Sequence, residues 1–433
     1  MSNEIVLGKA GKFNICVRDI TLSSHAGVVL LQTFAEQLGV AEVLNEEVHV
    51  KQRERGYAEG EAVMSLATNL IVGGSCLTDL KVLRGDLGTQ ALLGVEQVMA
   101  PTTAGEYLRK FDIGDICDLQ RGLHRLQRRV RPHQTATCCT IDLDSSIYEQ
   151  AGHHKPGAVK AYNGEIGFHP LFAFWEEEGE LLFSHLRRGS AHTVRNVGWF
   201  LRETLKRVPA HLPKKLRTDS GFYALTVVKF CEVHTITFSI TADQTAPLRA
   251  RINALPEAAW HDIEKHGVTQ VAELRYQPTR WPRAYRYIVK RDLRLNKTGR
   301  SEFHYHAFVT NDETTKPIAL AEWHAQHANM ENRIKEHKTG LSLEKLPSQR
   351  FHANWAYLLI GQLAFNLVAW FKRLVLPADY HQATLKTLRY QVLNVAGKIV
   401  HTARQFFLVL SEAYLYQDTW RFALKQLAGL QFA

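Results

Sequence analysis

Apolar residues recur at close to helical spacing through the first third of the chain. Between His25 and Val48 they fall at Val28, Leu31, Phe34, Leu38, Val40 and Leu44. The same period runs from Gly56 to Leu93, interrupted at Gly73-Gly74. Pro101-Thr102-Thr103 predicts a helix entry, with Thr103 as N-cap and Glu106 three residues on. From Ala104 that helix is expected to run through Arg121, Arg125, Arg128, Arg129 and Arg131 and to stop at Pro132. Residues 1–20 alternate weakly, which suits a short strand or an arm. Residues 1–134 thus read as an all-α domain ending in a basic helix.

The pattern then changes to strand character. Thr135–Tyr148, His169–Trp175 and Glu180–Leu186 read as three strands, the last two joined by the acidic turn Glu176-Glu177-Glu178-Gly179. A helix over Thr193–Val208, a strand ending at Asp219, a helix over Tyr223–Val233 and a strand over Thr235–Ile240 follow. That order is an α/β layout with a mixed sheet. Residues 243–312 interrupt it with strands at Val271–Tyr276, Ala284–Asp292 and Glu302–Thr310, joined by turns at 278–282 and 296–299. A helix is expected from Ile318 to about Thr339, and another over Trp355–Arg373. Leu385–Leu430 reads as helical and basic, with Lys386, Arg389, Lys398, Arg404, Arg421 and Lys425. The divisions are therefore 1–134, 135–242, 243–312 (a β-rich insertion), 313–378 and 379–433 (a helical C-terminal region).

Composition narrows the partners. With 433 residues, 45% hydrophobic and 22% charged, the chain is globular and long enough for several cores. Its formal charge of +10 and pI near 9.2 suit a polyanion, because Lys and Arg displace counterions from phosphate. The 21 histidines raise that charge further on mild acidification. Cys16, Cys76, Cys117, Cys138, Cys139 and Cys231 form no CxxC pair and read as reduced thiols, not a disulfide framework or zinc ribbon. The start, Met-Ser-Asn-Glu-Ile, has no leader character, so a cytoplasmic location is expected. Trp355–Leu376 is the most apolar stretch, but Gln362, Asn366, Lys372 and Arg373 interrupt it. A buried helix is expected there, and no membrane partner.

Three carboxylates carry the candidate chemistry. Asp144 and Asp219 each end an apolar strand pattern and precede small polar residues, and Glu331 lies in a helical run. Clustered carboxylates raise one another's pKa and need a cation to stay ionised. Carboxylates converging from separate elements are what a two-metal phosphodiester site requires. Asp142 competes with Asp144, because alternation puts both on one sheet face. The bland alternatives are a turn residue for Asp144 and a helix N-cap for Asp219. His324, His327, Glu331 and Lys338 share one helix face, since 14 residues return to within roughly 40° of the start. A metal-binding Glu331 with a phosphate-holding Lys338 two turns on would suit a DNA strand lying along that helix.

This frame resembles that of the DDE transposases of bacterial insertion sequences, whose signature is Tyr, two residues, Arg, three residues, Glu, six residues, Lys. Glu331 and Lys338 match in kind and spacing, whereas His324 and His327 stand where the family has Tyr and Arg. Further stretches are similar to the insertion-sequence thirteen-eighty branch: Gly73-Gly74-Ser75-Cys76-Leu77, Leu83-Arg84-Gly85-Asp86, Ile141-Asp142-Leu143-Asp144, Tyr162-Asn163, Arg217-Thr218-Asp219-Ser220-Gly221-Phe222 and Glu331-Asn332-Arg333-Ile334-Lys335. The likeness runs from about residue 25 to residue 410.

The resemblance implies an RNase H-like core with a β-rich insertion before the Glu331 helix, and Asp144 in preference to Asp142 as the first ligand. It implies that Asp144, Asp219 and Glu331 hold two Mg²⁺ ions, with Mn²⁺ able to substitute. The implied reaction frees transposon ends and joins their 3′-OH to target DNA by cut-and-paste, with hairpin ends as one route. Double-stranded DNA, terminal inverted repeats and a homodimer on paired ends follow as partners, in a bacterial, nucleoid-associated setting. Protonated or hydrogen-bonding His324 and His327 would then hold phosphate, helped by Arg333. Trp281 or Tyr305 would stack a flipped base, and Arg121, Arg125, Arg128 and Arg129 would bind the inverted repeats. Two other readings stand beside this one. One is a catalytically silent DNA-binding or regulatory relative. The other is a single-strand nuclease with a tyrosine nucleophile and a His304-Tyr305-His306 metal pair.

Overall fold

The computed structural model describes residues 4–8, 11–15, 21–51, 56–151, 155–263, 269–295, 299–402 and 405–432. Cys16, Arg404 and residues 296–298 of the expected turn lie outside the described residues.

The centre of the molecule is a nine-stranded mixed sheet. In chain order its main strands are β1 (Cys139–Ser145), β2 (Leu171–Trp175), β3 (Glu180–His185), β4 (Lys214–Thr218), β5 (Thr237–Thr241), β6 (Thr269–Tyr276), β7 (Tyr285–Leu295) and β8 (Ser301–Thr310). Across the sheet they lie in the order β6-β7-β8-β5-β4-β1-β2-β3, with the two-residue strand His261–Asp262 outside β6. β1, β4 and β5 are parallel, whereas β2, β3 and β8 run antiparallel to their neighbours. Residues 269–310 therefore extend the sheet beyond β5.

Six helices position the site: α1 (Ile113–Val130), α2 (Val197–Leu205), α3 (Leu225–Val233), α4 (Pro317–Ala325), α5 (Ala328–Lys335) and α6 (Phe351–Leu374). Ile141, Leu143, Ala173, Leu216 and Phe238 point to one sheet face and share a core with α2 and α3. Phe172, Phe174 and Leu181 point to the other and share a core with α6 and the N-terminal helices. This division follows from strand alternation, with apolar residues on both faces of the central strands. Helix α6 is buried nearly all round. Its polar residues serve the edge strand β3: Asn366 Oδ1 accepts from Leu181 N at 2.8 Å, and Gln362 Oε1 accepts from Ser184 Oγ at 2.7 Å. Among the described residues no single helix is long and apolar enough to cross a membrane.

Three element expectations are corrected. The helix entered at Pro101 begins with that proline in its first turn and Ala100 as N-cap, not Thr103, and ends at Lys110. A new helix, α1, starts after Asp112, whose side chain accepts from Asp115 N at 3.0 Å while Asp115 accepts from Asp112 N at 2.8 Å. This reciprocal cap satisfies two orphan donors and makes the break stable. The C-terminal region is not helical throughout. Gly397–Thr402 and Gln405–Val409 pair as a hairpin that Leu22–Ser23 joins. The β-branched and aromatic runs there favour strand over helix. The helix expected over 318–339 divides into α4 and α5, followed by a wide π-helical turn at Glu336–Gly340. At the division, His327 N bonds to His324 O and Met330 N to His327 O, each spanning three residues instead of four.

Candidate active site

Two aspartates meet where β1 and β4 end. The strands are parallel neighbours with Thr218 beside Leu143, so the next position sets Asp219 beside Asp144. Ser145 N–H donates to Asp144 Oδ1 at 2.6 Å. Burial pushes the Asp144 carboxyl up to about 7, and the charges of Asp219 and Glu331 add to that rise. Burial also raises Asp219; the nearby His327 charge and the Gly221 N–H oppose it, and Asp243 reinforces it. Asp243 sits just after β5 and its own carboxyl is raised by burial. Its place near Asp219 had no signal in the sequence, because it stands past the end of β5 and lacks the Asp-Ser context. Glu331 lies in the first turn of α5 and is exposed, with its charge reaching Asp144.

Asp142, the alternative metal ligand, sits here as a buried counter-ion. Its two oxygens accept from Arg217 Nε and Nη2, both at 2.8 Å, and Oδ1 also accepts from His327 Nδ1 at 3.0 Å. Burial alone would raise this carboxyl; the His327 and Arg217 hydrogen bonds outweigh it and hold it below the usual range. Arg217 is fully buried and continues the network to Glu176 at 3.7 Å, Trp323 O at 2.6 Å and the Trp323 ring at 5.4 Å. Bidentate pairing of this kind occupies the lone pairs a metal would need.

The α4–α5 segment crosses the sheet, so its predicted residues meet successive strands. His324 is only 5% exposed; its ring nitrogens bond to Ser239 Oγ at 2.6 Å and Thr241 Oγ1 at 3.0 Å, and it stacks on Phe308. Burial, with the neighbouring His306, drives its pKa well below the usual value. His324, expected to hold phosphate, is placed here as an internal strut between helix and β5. His327 is tied to Asp142. Arg333 is engaged by Glu176 through its side chain and its carbonyl, the latter at 2.9 Å. Lys338 donates to Ile147 O at 2.6 Å and lies 5.6 Å from the Tyr148 ring. Beside it, fully buried His337 bonds through Nδ1 to Tyr148 OH at 2.8 Å, and burial lowers its pKa to about 3. The π-helical turn therefore grips the loop that follows Asp144. Neither His337 nor Tyr148 stood out in the sequence, because a buried histidine has no distinguishing pattern.

The remaining candidates lie elsewhere. Trp281 packs on Tyr223 and Tyr285, with ring centroids 5.2 and 5.3 Å away. Tyr305 is half-buried near Trp260 and Phe303. His304 and His306 are exposed neighbours of Tyr305, outside the aspartate pair. On α1 the expected DNA-facing arginines turn largely toward carboxylates. Arg121 pairs with Glu47 and Asp118, Arg125 with Glu46 and Glu47, and Arg129 with Glu42 and the Leu38 carbonyl. Arg128 is exposed.

Asp144 and Asp219 offer hard oxygen donors, the type that Mg²⁺ and Mn²⁺ select. An uncompensated carboxylate pair with a raised pKa is also what a cation would relieve. The donors fit in chemistry but not yet in closure. Among the described residues no three His, Cys, Asp or Glu side chains converge tightly enough to enclose an ion.

The chain matches the family model described as "Transposase DDE domain group 1" over residues 12–432. No curated protein sequence matches it. Among solved structures it is similar to the cryo-EM structure of a piggyBac transposase synaptic complex with hairpin DNA, with a TM-score of 0.47 and 10% identity, covering 87% of this chain and 80% of that one.

Proposed function

The chain belongs to the DDE-domain transposases, and from that premise we propose that Asp144, Asp219 and Glu331 are its catalytic triad, cleaving transposon ends and joining the freed 3′-OH to target DNA. The observation that carries this reading is the meeting of Asp144 and Asp219 at the ends of adjacent parallel strands, where burial and like charge hold a proton on Asp144 up to about pH 7. The strand order β3-β2-β1-β4-β5 supports an RNase H-like core, with residues 243–312 inserted ahead of Glu331. DDE domains generally use divalent metals. Two Mg²⁺ ions, or Mn²⁺ in their place, supply activation of the attacking oxygen and stabilisation of the leaving oxygen when bound.

Asp144 and Asp219 would hold the metal in this reading, and Glu331, exposed on α5, would complete the set. Asp142 and Arg217 keep β1 and β4 in register. His327 links α5 to that pair, and the π-helical grip on Ile147 and Tyr148 sets how far α5 stands from Asp144. Double-stranded DNA carrying inverted repeats is the partner, engaged by two copies of the chain on paired ends. The motifs spread from Gly73 to Lys335 favour the insertion-sequence thirteen-eighty branch.

The test uses DNA bearing the inverted repeats that flank the gene. Asp144→Asn, Asp219→Asn and Glu331→Gln should each lower Mg²⁺-dependent end cleavage by more than about 100-fold, beyond the loss of an outer-shell partner. A gel shift should show DNA binding retained. Mg²⁺-dependent cleavage surviving in Asp144→Asn sinks the triad. Binding without cleavage by the parent protein in any divalent metal would instead favour a silent DNA-binding relative.

A further inference from the structure

At the opposite end of the sheet lies a cavity of about 430 Å³ between the C-terminal half of α1 and the turn that follows α2. It opens where β1 begins, next to Ala136, whereas Asp144 stands near the far end of that seven-residue strand. At about 3.3 Å per residue the two are roughly 20 Å apart. Its charged lining is basic: His124, Arg128, Arg131, Lys206, Arg207 and His211 line it beside Gln134, and among the described residues no carboxylate does.

These groups divide into two kinds. Arg131 is already committed, donating to both oxygens of buried Glu180 at 2.6 and 2.8 Å and to Arg207 O at 2.8 Å. Arg207 is buried against the Phe183 ring at 4.2 Å and donates to Glu203 O. Arg207 also lies 3.6 Å from the Glu203 carboxylate, so both guanidiniums are fixed in ion pairs that offset part of their charge. Burial first, then the charges of Arg207, Arg128 and Arg131, lower the pKa of His124 to about 4. Arg128 and Lys206 are exposed at the mouth. Lys206 pairs with Glu203 at 2.6 Å, an exposed pair three residues apart that contributes little and exchanges readily. His124 already hydrogen-bonds to the Lys206 backbone, so the donors able to turn toward a ligand are Arg128 and Lys206 at the mouth.

We propose that this cavity is a phosphate-binding site, occupied either by a backbone phosphate of DNA or by a free phosphate anion. It is separate from the carboxylate site and does not depend on the chemistry assigned there. The cavity lies within the range of small-ligand pockets, and its donor set is that of phosphate recognition.

The test compares the full-length protein with Arg128→Ala/Lys206→Ala at low salt. Two probes are used: inorganic pyrophosphate by calorimetry, and a random-sequence 20-base-pair duplex by fluorescence anisotropy. Both replaced side chains are exposed, and circular dichroism checks the fold. The double variant should weaken at least one probe by about 10-fold. If the duplex is the ligand, the slope of log affinity against log salt should fall by about 2. Loss confined to pyrophosphate identifies a free anion, and loss confined to the duplex identifies the DNA backbone. Unchanged affinity for both probes, absence of binding by the parent, or equal weakening by Lys229→Ala/Arg421→Ala elsewhere on the surface overturns the proposal.

Discussion

Asp142 and Asp144 are two residues apart on one sheet face, and their surroundings move their protons in opposite directions. Arg217 and His327 keep Asp142 ionised, whereas burial, Asp219 and Glu331 push Asp144 up to about 7. Replacing Asp142 by Ala strands the Arg217 guanidinium in the core and should cost about 3–5 kcal/mol, read from denaturant unfolding. Asp144→Asn should act in the other direction. A carboxyl whose folded pKa lies above its unfolded value of 3.8 binds its proton more tightly when folded. Its contribution is therefore full below about pH 4 and is lost as pH rises toward 7. Without divalent cation, the parent should lose stability relative to Asp144→Asn across that window; parallel pH profiles of the two check it. The strand spacing in the sequence placed both aspartates on one face. It did not show which one had Arg217 opposite, because that depends on the register of β1 against β4.

At the scale of elements, the segment from α4 through the π-helical turn links β5, β1 and the loop after Asp144. Spacing at 100° per residue predicted a common face for His324, His327, Glu331 and Lys338, but the segment divides between α4 and α5 and widens after Lys335. His324 is therefore consumed against β5 and Lys338 is spent on Ile147, while Glu331 stays exposed. The grip on the loop makes its own prediction. Tyr148→Phe removes the partner of His337 Nδ1 in a closed interior and should cost about 1–3 kcal/mol. End cleavage should slow more than DNA binding weakens, since the loop directly follows Asp144; thermal unfolding and single-turnover cleavage report the two effects. Equal cleavage in parent and variant would show that the grip is structural only.

At the scale of the molecule, one sheet with cores on both faces carries the carboxylates at one end and the basic cavity at the other. A ligand that binds only the folded state raises its stability by about 2.7 kcal/mol at a hundred times its Kd. Saturating Mg²⁺ or Mn²⁺ should thus raise Tm, EDTA should return it, and Asp144→Asn should abolish the gain. By itself the sequence determined the identity of the elements around the site: periodicity and the Asp-Ser steps marked the ends of β1 and β4, and the Glu331 frame marked the helix. Those signals are local, and local backbone preference reads them directly. Which carboxylate is paired, how far His324 is buried, the pairing of Leu22–Ser23 with Gly397–Lys398 and the convergence of Arg128, Lys206 and His124 were decided only by tertiary structure. Each depends on residues far apart in sequence that meet only when strand register and helix packing are set.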